Sequence, residues 1–345
     1  MMNELIQDLD KCPVAQQTSV IEQVPIIDIG ELVEDASSSA AESAVSQIAN
    51  ACQTWGFFQI TNHGITDDLI QHVWSQTRAL FSLPLEQKQQ VLRSKDNLWG
   101  YYSNELTKNQ RDKKEVYDFT HDGIDPIYGK ANRWPDNQQD FRLTMQNYFV
   151  ACTQLSLNLL GAFCLGLDLP ADHMRSDFAT NHTGFLRLNY YPVEDPLKGE
   201  KDGVVKKASE ADLGVHHHTD AGALTVLLQD DVGGLQVYRD GFWHNIPPVP
   251  GALVINTGDM MQVWSNDIYQ APVHRVLAMD SIDRYSLPFF FNPAATARVS
   301  PLPTVVDQRR PSAYRSIEWA KFRGKRTDGD YADYGTEVQI SQFRI

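Results

Sequence analysis

Three pairs of polar residues at strand spacing carry the chemistry of this sequence. The first is His218 and Asp220 in the run HHHTD. In an extended strand, side chains two apart share a face. The imidazole and the carboxylate therefore converge while Thr219 points away. Together they supply two-thirds of a 2-His-1-carboxylate facial triad, a donor set that suits non-haem Fe(II) and leaves three coordination positions open. A surface His and Asp at a strand start would give the same H-x-D. The third ligand must come from another strand, and His274 in APVHRVL is the candidate. A hydrogen-bonded core histidine reads the same way in an apolar stretch. Of the ten histidines, His216 shares the face of His218 and is the nearest rival, and His244 is a weaker one.

The second pair is Arg284 and Ser286 in DRYSLPFFF, again on one strand face. Arginine offers a planar fork for a carboxylate, and serine adds a hydroxyl donor. A cation aimed into a barrel needs an anionic partner, because an unpaired buried charge is costly; a surface arginine at a strand end is the plain alternative. The third pair is Asn189 and Tyr191 in LRLNYYP, both able to hydrogen-bond a small polar ligand. An ordinary strand ending in an amphipathic tyrosine would look alike.

These pairs need strands to hold them. FLRLNYY (185–191), ALTVLLQ (223–229), LQVY (235–238), ALVINT (252–257), PVHRVLA (272–278) and YSLPFFF (285–291) are short, apolar and divided by turn residues, the pattern of an antiparallel β structure. The first half differs. VPIIDI (24–29) and GFFQI (56–60) read as strands. Ser37–Ser39 offers a cap for a helix over about 40–54, and 67–93 is helical by pattern with a break at Pro84. Residues 94–140 read as loop with short elements, and Asp140 to about Leu169 as a long buried helix. Residues 1–23 are a polar lead-in, and 194–212 a charged insert, read as a solvated loop.

The chain has 345 residues, long enough for a large core and, by length alone, for two domains. Its 44 acidic and 30 basic residues give a net charge of -14, which argues against nucleic acid as the partner. A small anionic ligand needs only one or two placed cations. Cys12, Cys52, Cys152 and Cys164 are scattered, with no metal or disulfide spacing. The N-terminus lacks a signal-peptide pattern, and the apolar stretch Leu155–Leu169 is too short to cross a bilayer. The expectation is a soluble cytoplasmic protein without a membrane partner, with a monomer compatible with everything in the sequence.

LRLNYYP, HTD, GGLQV, PGALVINTGDMMQVWSND, HRV and RYSLPFFFNP occur here in an order that resembles the isopenicillin N synthase-like group of Fe(II)- and 2-oxoglutarate-dependent oxygenases. VPIIDIG and GFFQITNHGI resemble that group's N-terminal region, so the resemblance spans about 24–300. It implies an α+β protein with a predominantly β core, a cupin-like double-stranded β-helix (jelly roll), and a helical, mixed N-terminal region. The divisions expected are 24–150 for that region, 151–310 for the core with its support helix, and 311–345 for a C-terminal helix and tail. The resemblance makes His218, Asp220 and His274 iron ligands. It gives Arg284 and Ser286 the distal carboxylate of 2-oxoglutarate, with Tyr191 as a further donor and Asn189 near the metal end. It implies oxidative decarboxylation of 2-oxoglutarate to succinate and CO2, coupled through O2 to oxidation of a small organic molecule. Hydroxylation is the default outcome. An oxidative cyclase or desaturase of the same fold is the alternative, and a non-catalytic barrel a more distant one. Tyr101, Tyr102, Phe289 and Phe291 are the expected walls of the substrate pocket.

Overall fold

The computed structural model describes residue 9 and residues 23–34, 38–107, 110–136, 138–178, 181–195, 197, 213–328 and 337–345. Nearly all of the expected lead-in 1–23 and most of the insert 194–212 lie outside the described residues. Two sheets dominate. The larger has eight strands in the order β1 (Ile26–Asp28), β2 (Phe57–Thr61), β12 (Leu253–Thr257), β9 (Leu224–Gln229), β14 (Arg284–Phe291), β7 (Phe185–Tyr191), β6 (Glu115–Thr120) and β3 (Gly100–Tyr102). The smaller runs β11 (Phe242–Asn245), β10 (Leu235–Arg239), β13 (His274–Leu277), β8 (Leu213–His218). Two short strands, β4 (Leu106–Thr107) and β5 (Gln110–Arg111), form a separate hairpin. Every pair within these two large sheets is antiparallel except β1 with β2. The two sheets close on one another as a jelly roll, with Phe57, Leu227 and Val254 from one meeting Val215, Val237 and Val276 from the other.

The period-two alternation of each strand decides what faces the interior. On β14, Arg284, Ser286, Pro288 and Phe290 line the central cavity, while Leu287, Phe289 and Phe291 enter the core on the other face of the sheet. On β7, Phe185, Arg187, Asn189 and Tyr191 line the cavity, while Leu186 and Leu188 enter that core. The helix Gln139–Leu165 packs there and buries Phe149, Leu155 and Phe163 among others. It ends at Leu165, short of the expected Leu169, and the whole helix, unlike the stretch Leu155–Leu169 taken alone, is long and apolar enough by composition to cross a membrane. Most of that apolar surface is instead covered by the protein.

Local signals set the helix ends. Ser38 caps Ser39–Thr54 by accepting the Ala41 amide at 3.0 Å, and Thr66 caps Asp67–Phe81. Pro84 divides the next stretch, and the following helix is only Leu85–Gln90. Two elements depart from expectation. EVYDFT, in a stretch read as loop with short elements, is the fully buried strand β6. DMMQVW, between two runs read as strands and itself given no element, is the buried helix Asp259–Trp264. Cys52, Cys152 and Cys164 are free and buried.

His182, just before β7, gives the fold an acid-sensitive contact. Its Nδ1 accepts the Gly184 amide at 3.2 Å, and its ring stacks on Phe149. Burial, and then His121 beside it, lower its pKa from the ordinary 6.5 to about 4. Such a group takes up its proton first in the unfolded chain. Its contribution is complete above pH 6.5 and lost as pH falls towards 4, amounting to about 3 kcal/mol at the acid end. Urea denaturation at pH 7 and pH 5 should show this slope, and His182→Asn should flatten it. An unchanged slope would place the acid sensitivity elsewhere.

Candidate metal centre

Register brings the sequence pairs together. His218 on β8 lies directly across from His274 on β13. On the facing sheet, Arg284 lies across from Tyr191, and Ser286 from Asn189. All seven residues His218, Asp220, His274, Arg284, Ser286, Asn189 and Tyr191 line one cavity of about 420 Å³, a size typical of small-ligand sites.

The ligating atoms of His218, Asp220 and His274 lie within 4.8 Å of one another. Strand β8 ends at His218, so an irregular segment, not continued strand, carries Asp220 to its place. Its Oδ1 is 3.7 Å from the Nε2 of both histidines. Its Oδ2 accepts from Thr225 Oγ1 at 2.5 Å and Asn256 Nδ2 at 2.7 Å. One carboxylate oxygen is thus anchored and the other is left to the centre.

Both histidines are oriented by backbone carbonyls. His218 Nδ1 is 2.8 Å from the His216 carbonyl, and His274 Nδ1 is 3.1 Å from the Pro272 carbonyl. Donation there leaves the proton on Nδ1 and the Nε2 lone pair facing inward, the arrangement expected of histidine metal ligands. Burial, and then the nearby His274, hold the His218 imidazole well below the usual histidine range. Two neutral imidazoles and one carboxylate fit a divalent iron.

Arg284 is fully buried. Its guanidinium stacks over Tyr191 at 4.9 Å, and its NH2 nitrogen reaches Gln229 at 3.4 Å. Its Nε and second terminal nitrogen have no hydrogen-bond partner among the described residues. Asn189 Nδ2 bonds Ser286 Oγ at 3.4 Å, while the Asn189 side-chain oxygen is also unpartnered among the described residues. A buried guanidinium with free N–H groups suits an anion that completes it.

The expected aromatic walls are not where the sequence reading put them. Phe289 and Phe291 sit in the core behind β14, because they have the opposite parity to Arg284 and Ser286. Tyr101 is buried with the Lys88 ammonium over its ring, and Tyr102 stacks against Arg93; neither lines the cavity. The aromatic rings that do are Phe57, Phe185, Phe290 and Tyr191. His216 is not a ligand. Its amide and Nδ1 both meet Asp112 Oδ1, at 3.1 and 2.9 Å. Burial alone would raise the Asp112 pKa, but Lys114 and His216 hold it below the usual range. Lys114 joins Asp112 to Glu105, and Glu105 joins Arg93 and Arg187, which share Asp118. This buried charge network stiffens the strand that carries His218.

Sequence reasoning also passed over Thr225 and Asn256, which orient Asp220, and Arg326, which donates to the Thr219 carbonyl between two of the three candidate ligands. A polar residue inside an otherwise apolar strand was the available signal for the first two.

A β-sandwich cavity holding a His–Asp–His cluster and a buried arginine defines a non-haem iron oxygenase site. Residues 182–293 match the 2OG-Fe(II) oxygenase superfamily, and residues 24–137 match the non-haem dioxygenase in morphine synthesis N-terminal family. The chain is 32% identical over 306 residues to Jasmonate-induced oxygenase 3 of Arabidopsis thaliana, covering 87% of this chain and 80% of the relative. It superposes on a full-length Neurospora crassa protein in complex with alpha-KG with a TM-score of 0.77 at 26% identity, covering 91% of this chain and 99% of that one. JOX2 in complex with 2OG, Fe and JA gives a TM-score of 0.74 at 29% identity, covering 91% and 88%. The chain belongs to the 2OG-Fe(II) oxygenase superfamily. It is an Fe(II)- and 2-oxoglutarate-dependent oxidoreductase that uses O2.

Proposed function

We propose that His218, Asp220 and His274 hold the Fe(II). In the same reading, Arg284 and Ser286 take the distal carboxylate of 2-oxoglutarate, with Tyr191 and Asn189 beside them. The observation that carries this is the fully buried Arg284, which keeps unpartnered donors in the cavity that holds the His–Asp–His cluster. Bound iron supplies the oxygen chemistry that couples decarboxylation of 2-oxoglutarate to succinate and CO2 with oxidation of a second molecule.

The chain's own residues bind, aim and exclude water. Thr225 and Asn256 fix the Asp220 carboxylate, and the His216 and Pro272 carbonyls fix the imidazoles. Arg284 holds one end of the cosubstrate so that its keto-acid end reaches the metal. Phe57, Leu227 and Val276 keep that part of the cavity apolar. The substrate is a small organic molecule, a reading supported by structures of relatives that hold thymine or JA beside the cosubstrate. Hydroxylation is the outcome we propose.

Anaerobic addition of Fe(II) and 2-oxoglutarate should produce a weak visible charge-transfer band, and air should then release succinate. Chelation of the metal should remove both. A protein that gives neither band nor succinate would overturn this reading.

A further inference from the structure

The cavity extends from the metal centre to a wall formed by the C-terminal helix Trp319–Asp328. There the Arg323 guanidinium carbon lies 4.8 Å from the ring centre of Phe185. Phe185 stacks on half-buried Phe290 at 4.6 Å and 22°. All three residues line the cavity. A guanidinium over an aromatic face uses its π surface and keeps its in-plane N–H donors.

The neighbouring cations are already engaged. Arg187 is held by Asp118 and Glu105, and Lys114 by Asp112 and Glu105. Arg326 is held by Glu337 and the Thr219 carbonyl. Arg323 is partly buried, and among the described residues its side chain makes no hydrogen bond or ion pair. Asp125 feels its charge, but Asp125 Oδ1 is taken by the amides of Ile127 and Tyr128. Lys325 and Asp328, both exposed, offset one another nearby. Among the described residues that line this wall the charges leave about one net positive charge, which matches a monoanion better than a phosphate ester.

We infer that Arg323 is the anion subsite for the substrate, and that the substrate is a monocarboxylic acid with a flat apolar body lying along Phe185 and Phe290. The inference rests on the oxygenase reading above.

The test uses phenylacetic, 4-phenylbutyric and 1-naphthylacetic acids with their methyl esters and primary amides. Binding to the iron-free protein saturated with 2-oxoglutarate is read by titration calorimetry, separately from turnover. At least one acid should bind roughly 10- to 100-fold more tightly than its ester and amide, the range expected of a charge-assisted hydrogen bond. Arg323→Gln should erase that preference, and Arg323→Lys should keep part of it. Lys321→Gln, an exposed change on the same helix where Lys321 pairs with Glu318, should leave it intact. Acid binding that persists without succinate release on iron addition would count against the oxygenase reading alone and support the subsite. The inference is overturned if no acid binds, if acids and esters bind alike, or if Arg323→Gln keeps the preference.

Discussion

Asp220→Ala should lower iron-dependent succinate release by more than ~100-fold and leave the purified protein with little bound iron. Loss of a partner that merely orients a metal ligand already costs about 10–100-fold, and Asp220 is the one anionic donor in the cluster. Two neutral imidazoles remain in the variant, with no negative charge to offset a divalent ion. The fold should survive. The change leaves the Thr225 hydroxyl and the Asn256 amide without their acceptor, but both line a cavity that water can enter. Thr225→Val and Asn256→Leu should fall between wild type and Asp220→Ala, because each frees the carboxylate to rotate without removing it. Iron content after dialysis and succinate release together check the order. Iron retained at full stoichiometry by Asp220→Ala would remove Asp220 from the ligand set.

Much of this site was legible because it obeys the simplest rule of strands. Arg284 with Ser286 and Asn189 with Tyr191 sit two apart on β14 and β7, and each pair reaches the same cavity; His218 and Asp220 reach it too, although Asp220 lies beyond the end of β8. The same rule would have corrected the aromatic walls. Once Arg284 and Ser286 face inward on β14, Phe290 must do so and Phe289 and Phe291 cannot. The error came from reading aromatic composition in place of parity.

Other features depend on partners far along the chain, which no local pattern reveals. Strand β6 looked like loop because Glu115 and Asp118 interrupt its apolar run. Lys88 pairs with the first, and Arg93 and Arg187 with the second, so both carboxylates are buried. Likewise the histidine run left His216 as the nearest rival to His218, since both lie on one strand face. Asp112 decides between them: it takes the His216 imidazole, and the His216 carbonyl then orients His218.

Arg284→Met should weaken 2-oxoglutarate binding and, without cosubstrate, leave the protein as stable as wild type or more so. Those opposite signs separate a binding role from a structural one. In the ligand-free fold the guanidinium is fully buried, and its hydrogen bonding among the described residues is the long 3.4 Å contact with Gln229. Two of its nitrogens have no partner among the described residues. A buried charge in that state costs stability, and an apolar side chain of similar length removes the cost. With the cosubstrate bound, the balance reverses, because the distal carboxylate completes the fork. Removing one member of a buried charge pair costs about 2–5 kcal/mol of binding, which corresponds to a Kd raised roughly 30-fold or more. Thermal unfolding with and without 2-oxoglutarate reads both effects at once. Wild type should gain a large upward shift from the cosubstrate, and Arg284→Met little or none. Arg284→Lys should recover only part of the shift, since an ammonium cannot form the planar two-point contact. A variant destabilised before any cosubstrate is added, yet binding it normally, would make Arg284 a packing residue and leave the carboxylate to other donors.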